Sequence, residues 1–404
     1  MDGRIVIIGG GQAGLEIAAT LRAEGFAGAL ALVCAEPAPP YQRPPLSKAY
    51  LLGEIGAERL WLRPPAFYAE AGIDLILGVA AVAIDRAGRR VLLADGRALP
   101  YDRLALAGGA APRRLPAAMG GDLAGVHTVR ALADVDAMAP AMAPGARALV
   151  VGGGYIGLEA AAVARKRGMD VRLVEAAPRI LGRVAPGETA DYFRALHLGH
   201  GVDLREGAAL GALEGAGGRL VGARMADGET FPADLAIVGV GVAPETALAE
   251  AAGLAVENGV AADAACATSD PAIVAAGDCA SFPWRGRRVR LESVQNAIDM
   301  GKAAAMTLLG RPAVYDPTPW FWSDQYDVKL QIAGLSDGRD RVVVRPGARP
   351  GAQSVWSFAG DRLLSVDAMN DARAFMTAKR WLEAGVSPDA ARIADPACDL
   401  KDAA

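Results

Sequence analysis

Residues 4–14 read Arg-Ile-Val-Ile-Ile-Gly-Gly-Gly-Gln-Ala-Gly and residues 147–157 read Arg-Ala-Leu-Val-Val-Gly-Gly-Gly-Tyr-Ile-Gly, so one phrase occurs twice, 143 positions apart. Each copy holds Gly-x-Gly-x-x-Gly: Gly9, Gly11 and Gly14, then Gly152, Gly154 and Gly157. Glycines at this spacing suit a pyrophosphate. The first permits a tight turn, the second lets backbone touch the phosphates, and the third lets a helix pack closely on a strand. Gln12 and Ala13, and Tyr155 and Ile156, stand between the glycines, and the N-terminal amides of the helix that follows hold the negative charge. A carboxylate about 20 residues further on accepts hydrogen bonds from a ribose. Glu36 lies 22 residues after Gly14 and Glu175 lies 18 after Gly157.

These residues need particular elements to position them, and the surroundings supply them twice. A short β-branched run precedes each triplet, and alanine-rich helical stretches at 15–24 and 158–166 follow. Second strands at 29–33 and 171–174 then lead to the two acids. A lone triplet is a weak signal, but two complete units predict two Rossmann-like dinucleotide-binding domains of an α/β chain. Two dinucleotides suggest a flavin and a nicotinamide, between which hydride passes readily. Glu175 would meet a 2′-phosphate as a like charge, which favours NADH, although Arg179 four residues on weakens that preference.

Composition narrows the function classes. At 404 residues the chain has room for two or three domains. With 52% apolar and 22% charged residues it is globular rather than disordered. Only three histidines and four cysteines are present, none at metal-ligand or redox-pair spacing, so no metal site is expected. Cysteine usage fits a reducing, cytoplasmic compartment. No apolar run is long enough to cross a membrane, and a strand begins too early to leave room for a signal peptide. A net charge of −4 argues against general nucleic-acid binding.

Further phrases carry a resemblance. Tyr41-Gln42-Arg43-Pro44-Pro45-Leu46-Ser47-Lys48, Thr268-Ser269-Asp270-Pro271 with Ala276-Gly277-Asp278-Cys279, Glu292-Ser293-Val294-Gln295-Asn296-Ala297 and Trp-Phe-Trp-Ser-Asp-Gln at 320–325 join the glycine phrases. Together they resemble, essentially from end to end, the FAD-dependent ferredoxin reductases of the putidaredoxin-reductase and palustrisredoxin-reductase type. That resemblance implies an FAD domain in two parts, 1–113 and 242–315, an NAD domain at 114–241, and a C-terminal α/β interface domain at 316–404. The residues agree on their own terms: 315–319 reads as a linker, strands are expected at 329–333, 341–344, 355–358 and 363–366, and a helix at 372–384.

The resemblance also implies sites. Non-covalent FAD is expected on Gly9, Gly11, Gln12, Ala13, Gly14, Glu36, Arg43, Lys48, Val82 (through its backbone), Arg130, Asp278, Glu292, Ser293, Val294 and Trp320. NADH is expected on Gly152, Gly154, Tyr155, Ile156, Gly157, Glu175, Arg183 and Gly241. Lys48 beside the flavin would stabilise charge that develops on reduction, with Glu159 as its partner and Trp320 near the ring. The plainer alternative is a solvated lysine and a glutamate favoured by the helix dipole. Trp322 reads as domain-core packing.

Related disulfide reductases carry paired cysteines near the flavin or in the NAD domain; this chain has neither pair, and Cys34 and Cys279 read as packing residues. Electrons would therefore leave singly to an external carrier. By the resemblance it is a small acidic [2Fe–2S] ferredoxin serving a haem-thiolate monooxygenase or ring dioxygenase, with Lys302 at a partner-facing position. The basic cluster Arg285, Arg287, Arg288 and Arg290 is a candidate docking surface for it, with ordinary solvated surface as the alternative. The alternatives are a rubredoxin or quinone reductase on the same fold, and a flavin redox sensor resembling apoptosis-inducing factor. A monomer or weak homodimer is expected. Gly108 and Glu245 stand where relatives often have threonine and asparagine.

Overall fold

A computed structural model describes residues 3–404. Two compact units are present. The first comprises the chain up to Gln42, Gly56–Ala111 and Val242–Pro317; the second comprises Arg43–Ile55, Pro112–Gly241 and Thr318–Ala404.

The first unit is built on a five-stranded parallel sheet in the order Ile273–Ala275, Arg103–Leu106, Arg4–Ile8, Ala29–Cys34, Ile73–Leu77. Parallel strands are covered on both faces and so run apolar without alternation; Ile5, Val6, Ile7 and Ile8 are all buried. Leu104 pairs with Ile273, 169 residues further along the chain. Helix Gln12–Ala23 packs against helix Val294–Leu308. Their approach is close at Gly301, where a Cβ would stand 3.1 Å from the Ala13 carbonyl.

The second unit carries its own five-stranded parallel sheet, ordered Asp203–Glu206, Asp170–Glu175, Arg147–Val151, Leu235–Val238, Val126–His127. Its C-terminal part is a five-stranded antiparallel sheet, ordered Trp320–Gln325, Val328–Gly334, Arg362–Met369, Gln353–Ala359, Arg341–Pro346. Helix Ala372–Ala384 covers that sheet with Ala374, Phe375, Ala378 and Leu382, a stripe at helical spacing. Left-handed Gly385 ends the helix. The fold class is the expected one: two Rossmann-like sheets and a C-terminal antiparallel sheet with a helix.

Two local expectations change. Both glycine helices begin at once, at Gln12 and Tyr155, because the third glycine lies inside the first turn rather than before it. The aromatic cluster at Trp320–Gln325, a motif of the resemblance and not among the expected strands, is a strand paired along its length with Val328–Gly334. Aromatic residues on a pleated sheet are favoured by packing, so the cluster was itself a strand signal.

Candidate functional site

The two glycine turns repeat in atomic detail. A Cβ at Gly9 would meet the Ala107 carbonyl oxygen at 2.1 Å, and one at Gly14 the Gly9 oxygen at 1.9 Å, whereas at Gly11 it would meet nothing within 4 Å. In the second turn a Cβ at Gly152 would stand 2.4 Å from the Gly239 oxygen and one at Gly157 2.0 Å from the Gly152 oxygen, with Gly154 again open. The first and third glycines are thus required by the protein's own packing. The second leaves room for something else. Neither helix has a side-chain hydrogen bond at its N-cap, Gly11 or Gly154, so amides of the first turn stay available to an anion. Both turns therefore fit the phosphates of a dinucleotide.

Around the first turn, Glu36 accepts a hydrogen bond from the Tyr41 hydroxyl. Val82 sits at a β-bulge, where pairing jumps from Ala81↔Leu93 to Ala83↔Leu92, so its backbone is outside the ladder. Asp278 lies in the tight turn Gly277–Cys279 that follows strand Ile273–Ala275. Gly277 has φ 79°, and its missing Cβ would press on Ala13 Cβ at 3.0 Å; the turn is thereby drawn onto the glycine helix. Ser293 caps helix Val294–Leu308 by accepting from the Asn296 amide at 3.1 Å. Glu292 pairs with Arg290 at 2.5 Å. Gly108 and Glu245, the two departures from the common pattern, meet each other: a Cβ at Gly108 would lie 3.3 Å from Glu245 Cβ.

Around the second turn, both oxygens of Glu175 accept backbone amides, from Gly153 and Ala177, each at 2.7 Å. The carboxylate is fixed beside the turn rather than free to swing. Arg179 points elsewhere, toward the Ala185 carbonyl at 3.4 Å, so its charge does not offset that of Glu175 by direct pairing. Arg183 lies against Gly241, 3.5 Å from the position of a Cβ there. The Tyr155 hydroxyl is buried without a hydrogen-bond partner, its ring 4.8 Å from that of Phe321, while Ile156 is 40% exposed.

Arg43, Lys48, Arg130 and Trp320 belong to the second unit. Pro44 and Pro45 start a 3-10 turn over Pro44–Ser47 that delivers Lys48. The segment is anchored there: Arg43 donates to the Arg130 carbonyl at 2.7 Å, Tyr50 to Asp136 at 2.7 Å, and Arg167 to the Leu51 carbonyl at 2.8 Å. Lys48 Nζ meets Glu159 Oε2 at 2.7 Å, with side-chain exposures of 19% and 5%. A buried ion pair needs further hydrogen bonds to offset desolvation, and two serines supply them. Ser47 donates to Oε2 at 2.6 Å and Ser323 to Oε1 at 2.7 Å.

Sequence reasoning missed both serines. Alternation along strand Trp320–Gln325 could have found Ser323, because it places Phe321, Ser323 and Gln325 on one face. Phe321 and Ser323 on that face reach Tyr155 and Glu159, both on the second glycine helix. The two tryptophans lie together. Trp320 packs on the C-terminal core, 5.9 Å from Phe375, and Trp322 stacks at 5.7 Å on Trp320. Their side of the strand faces helix Ala372–Ala384, which is why the residue expected only near the ring also joins the core.

The arginine group divides as well. Arg285 and Arg287 are exposed, with Arg285 over the Trp284 ring at 4.6 Å. Arg288 turns inward to the carbonyls of Ala262 and Ser281 at 2.9 and 2.8 Å, and Arg290 to Glu292 and the Asp278 carbonyl. Lys302 is exposed. Burial pushes the Cys34 and Cys279 thiols up to about 12 and about 11, which makes them poor nucleophiles. Among the described residues no group of His, Cys, Asp and Glu could hold a metal ion, and no helix is long and apolar enough to cross a membrane.

Residues 3–301 match the family described as pyridine nucleotide-disulphide oxidoreductase, and residues 320–404 match that described as reductase C-terminal. Rhodocoxin reductase of Rhodococcus erythropolis is 44% identical over 399 residues, covering 98% of this chain and 93% of that protein. The ferredoxin–NAD(+) reductase component of the anthranilate 1,2-dioxygenase system of Burkholderia cepacia is 40% identical, covering 98% of each. The crystal structure of the covalent putidaredoxin reductase–putidaredoxin complex superposes with a TM-score of 0.95 at 41% identity, over 99% of this chain and 97% of that one.

Proposed function

Because the chain belongs to the pyridine nucleotide-disulphide oxidoreductase family, we propose that it is a ferredoxin–NAD(+) reductase, a component of electron-transfer chains that feed haem-thiolate monooxygenases or ring dioxygenases. The observation that carries this is the duplicated glycine turn, each copy closed at its first and third glycines and open at its second. FAD and NADH would supply the redox chemistry when bound, hydride passing from nicotinamide to flavin and electrons leaving singly to a [2Fe–2S] ferredoxin.

The chain's own residues have the remaining tasks. Residues 1–113 and 242–315 form the flavin domain and hold FAD without a covalent bond, with residues 114–241 forming the NAD domain and 316–404 the C-terminal interface domain. Gly11 and the amides that follow it receive the flavin's phosphates, and Gly154 and its neighbours those of NADH. Glu175, fixed by two backbone amides, presents its charge where a 2′-phosphate would come, so NADH is preferred over NADPH. Lys48, held by Glu159 and the Pro44 carbonyl, stands as the cation that favours charge on a reduced flavin. Trp320 limits solvent on the acceptor side. Exposed Arg285, Arg287 and Lys302 offer charge to an acidic ferredoxin, and the location is cytoplasmic.

Turnover tests the proposal. Purified protein with NADH should reduce cytochrome c only when a [2Fe–2S] ferredoxin is added. Rapid quinone reduction without ferredoxin, or a slow and long-lived charge-transfer complex in place of turnover, would overturn it in favour of a quinone reductase or a redox sensor.

A further inference from the structure

Behind Glu159, polar contacts continue away from Lys48. Ser323 Oγ, which donates to Glu159, is approached by Gln325 Nε2 at 3.2 Å, and Gln325 Oε1 lies 2.9 Å from His197 Nε2. Ser323, Gln325 and His197 are each fully buried. The Tyr326 hydroxyl stands 3.5 Å from His197 Nδ1, and the Tyr326 ring stacks at 3.6 Å on that of exposed His200. Side chains from one hairpin and from helix Gly187–Gly199 thus run from Glu159 to the surface, all within the second unit.

A carboxylate can only accept hydrogen bonds, and that fixes the order of protons along the whole run. Ser323 gives its one proton to Glu159 and so must receive the N–H of Gln325. The amide then turns its oxygen toward His197, which must present Nε2–H. Nδ1 is left to accept from Tyr326. Every donor points toward Glu159.

We propose that His197 is a positioning residue for the Lys48–Glu159 pair: as the neutral Nε2–H tautomer it orients the Gln325 amide and, through Ser323, the carboxylate that Lys48 meets. Burial pushes the His197 imidazole down to about 4, so the ring is neutral at ordinary pH, as the donor order demands. The titratable and charged groups around it are His200 just past the end of its helix, Tyr326, and Arg165 and Lys166 of the second glycine helix. Arg165 donates to the His200 carbonyl at 3.0 Å and Lys166 to the Tyr326 carbonyl at 3.1 Å. Tyr326 itself is left-handed at φ 56°, a conformation that bulky residues rarely hold. The stacked ring and the Lys166 bond keep it there.

This deepens the reading of Lys48 and Glu159 and rests on it for its consequence in turnover, so the test reads protons directly. The chain has only three histidines, and two-bond proton–nitrogen spectra of holoenzyme labelled with 15N-histidine resolve them. One ring should stay neutral with its proton on Nε2 between pH 6 and 8. Gln325→Glu keeps the size but replaces a donor with a second carboxylate. An opposite charge at this range raises a base by about 1–3 pH units, so titration of His197 should come into view between about 5 and 7. Gln325→Met keeps the length without polar atoms and should release the tautomer to a mixture. A buried ring protonated on Nδ1, or a His197 spectrum unchanged in both variants, overturns the proposal. Failure of Lys48 substitution to slow flavin reduction would instead remove the pair's catalytic role while the tautomer result stood, so the two readings fail separately.

Discussion

Replacing Asp367 with asparagine should stabilise the protein far more at pH 8 than at pH 5. Asp367 is buried on strand Arg362–Met369, where its carboxyl accepts from the Thr189 hydroxyl at 2.8 Å. Burial pushes that carboxyl from 3.8 up to about 7, opposed in part by the Thr189 hydrogen bond and the charge of Arg339. Above pH 3.8 the folded protein therefore keeps a proton that the unfolded chain has released. Where the native state binds more protons, stability falls as pH rises. The cost is absent below pH 3.8, grows up to about 7 and is constant beyond. Some three pH units at 1.36 kcal/mol each give a ceiling of about 4 kcal/mol, of which about 1.5 has accrued by pH 5.

Asparagine fills the same volume and does not titrate, and any need of its amide for an acceptor is the same at both pH values. The gain of Asp367→Asn over the native chain should therefore be larger by about 2–3 kcal/mol at pH 8 than at pH 5. A chain of two units with bound cofactors need not unfold in one step. Hydrogen exchange in peptides spanning 362–369 reads the local opening free energy instead. An equal gain at both pH values, or a larger one at pH 5, would refute the reasoning.

Lys48→Met should slow anaerobic flavin reduction by NADH about a hundredfold, measured by stopped flow; an unchanged rate would make Lys48 a solvated side chain. Gly154→Ala places a methyl group in open space and should weaken NADH binding while leaving the melting temperature unchanged. Gly157→Ala forces a carbon to within 2.0 Å of a carbonyl oxygen and should cost about 1–3 kcal/mol in stability; equal thermal shifts would contradict that division of labour. Raising salt should increase the apparent KM for ferredoxin, and Arg287→Glu should do so more than Arg288→Glu, because Arg287 is exposed whereas Arg288 is half-buried. Equal effects in initial-rate assays would count against docking by the exposed pair.

What the sequence revealed was whatever is encoded locally. Each strand, glycine turn and following helix is specified within about thirty neighbouring residues, and helix Ala372–Ala384 announces itself by its apolar stripe and its terminal glycine. The support of the ion pair is encoded at long range. Ser47 and Ser323 lie 112 and 164 residues from Glu159, and a serine has no spacing rule that marks it as a partner to a distant carboxylate. The arginines at 285–290 looked alike as a charged run, but a hairpin strand sends neighbouring side chains to opposite faces, and only the folded register tells which two reach solvent. Gly108 and Glu245 looked like unrelated departures until packing put one against the other.

The sheet of the first unit has a consequence for synthesis. Its strand Arg103–Leu106 must wait for Ile273–Ala275, which arrives 169 residues later, whereas the parallel sheet of the second unit has all its strands by Val238. At about 5–20 residues per second, the ribosome takes on the order of 10–30 s to deliver the missing neighbour. Throughout that interval an apolar strand edge is open to pairing with other chains. The parallel sheet encoded in the middle of the chain can be finished before the one whose first strand starts the chain.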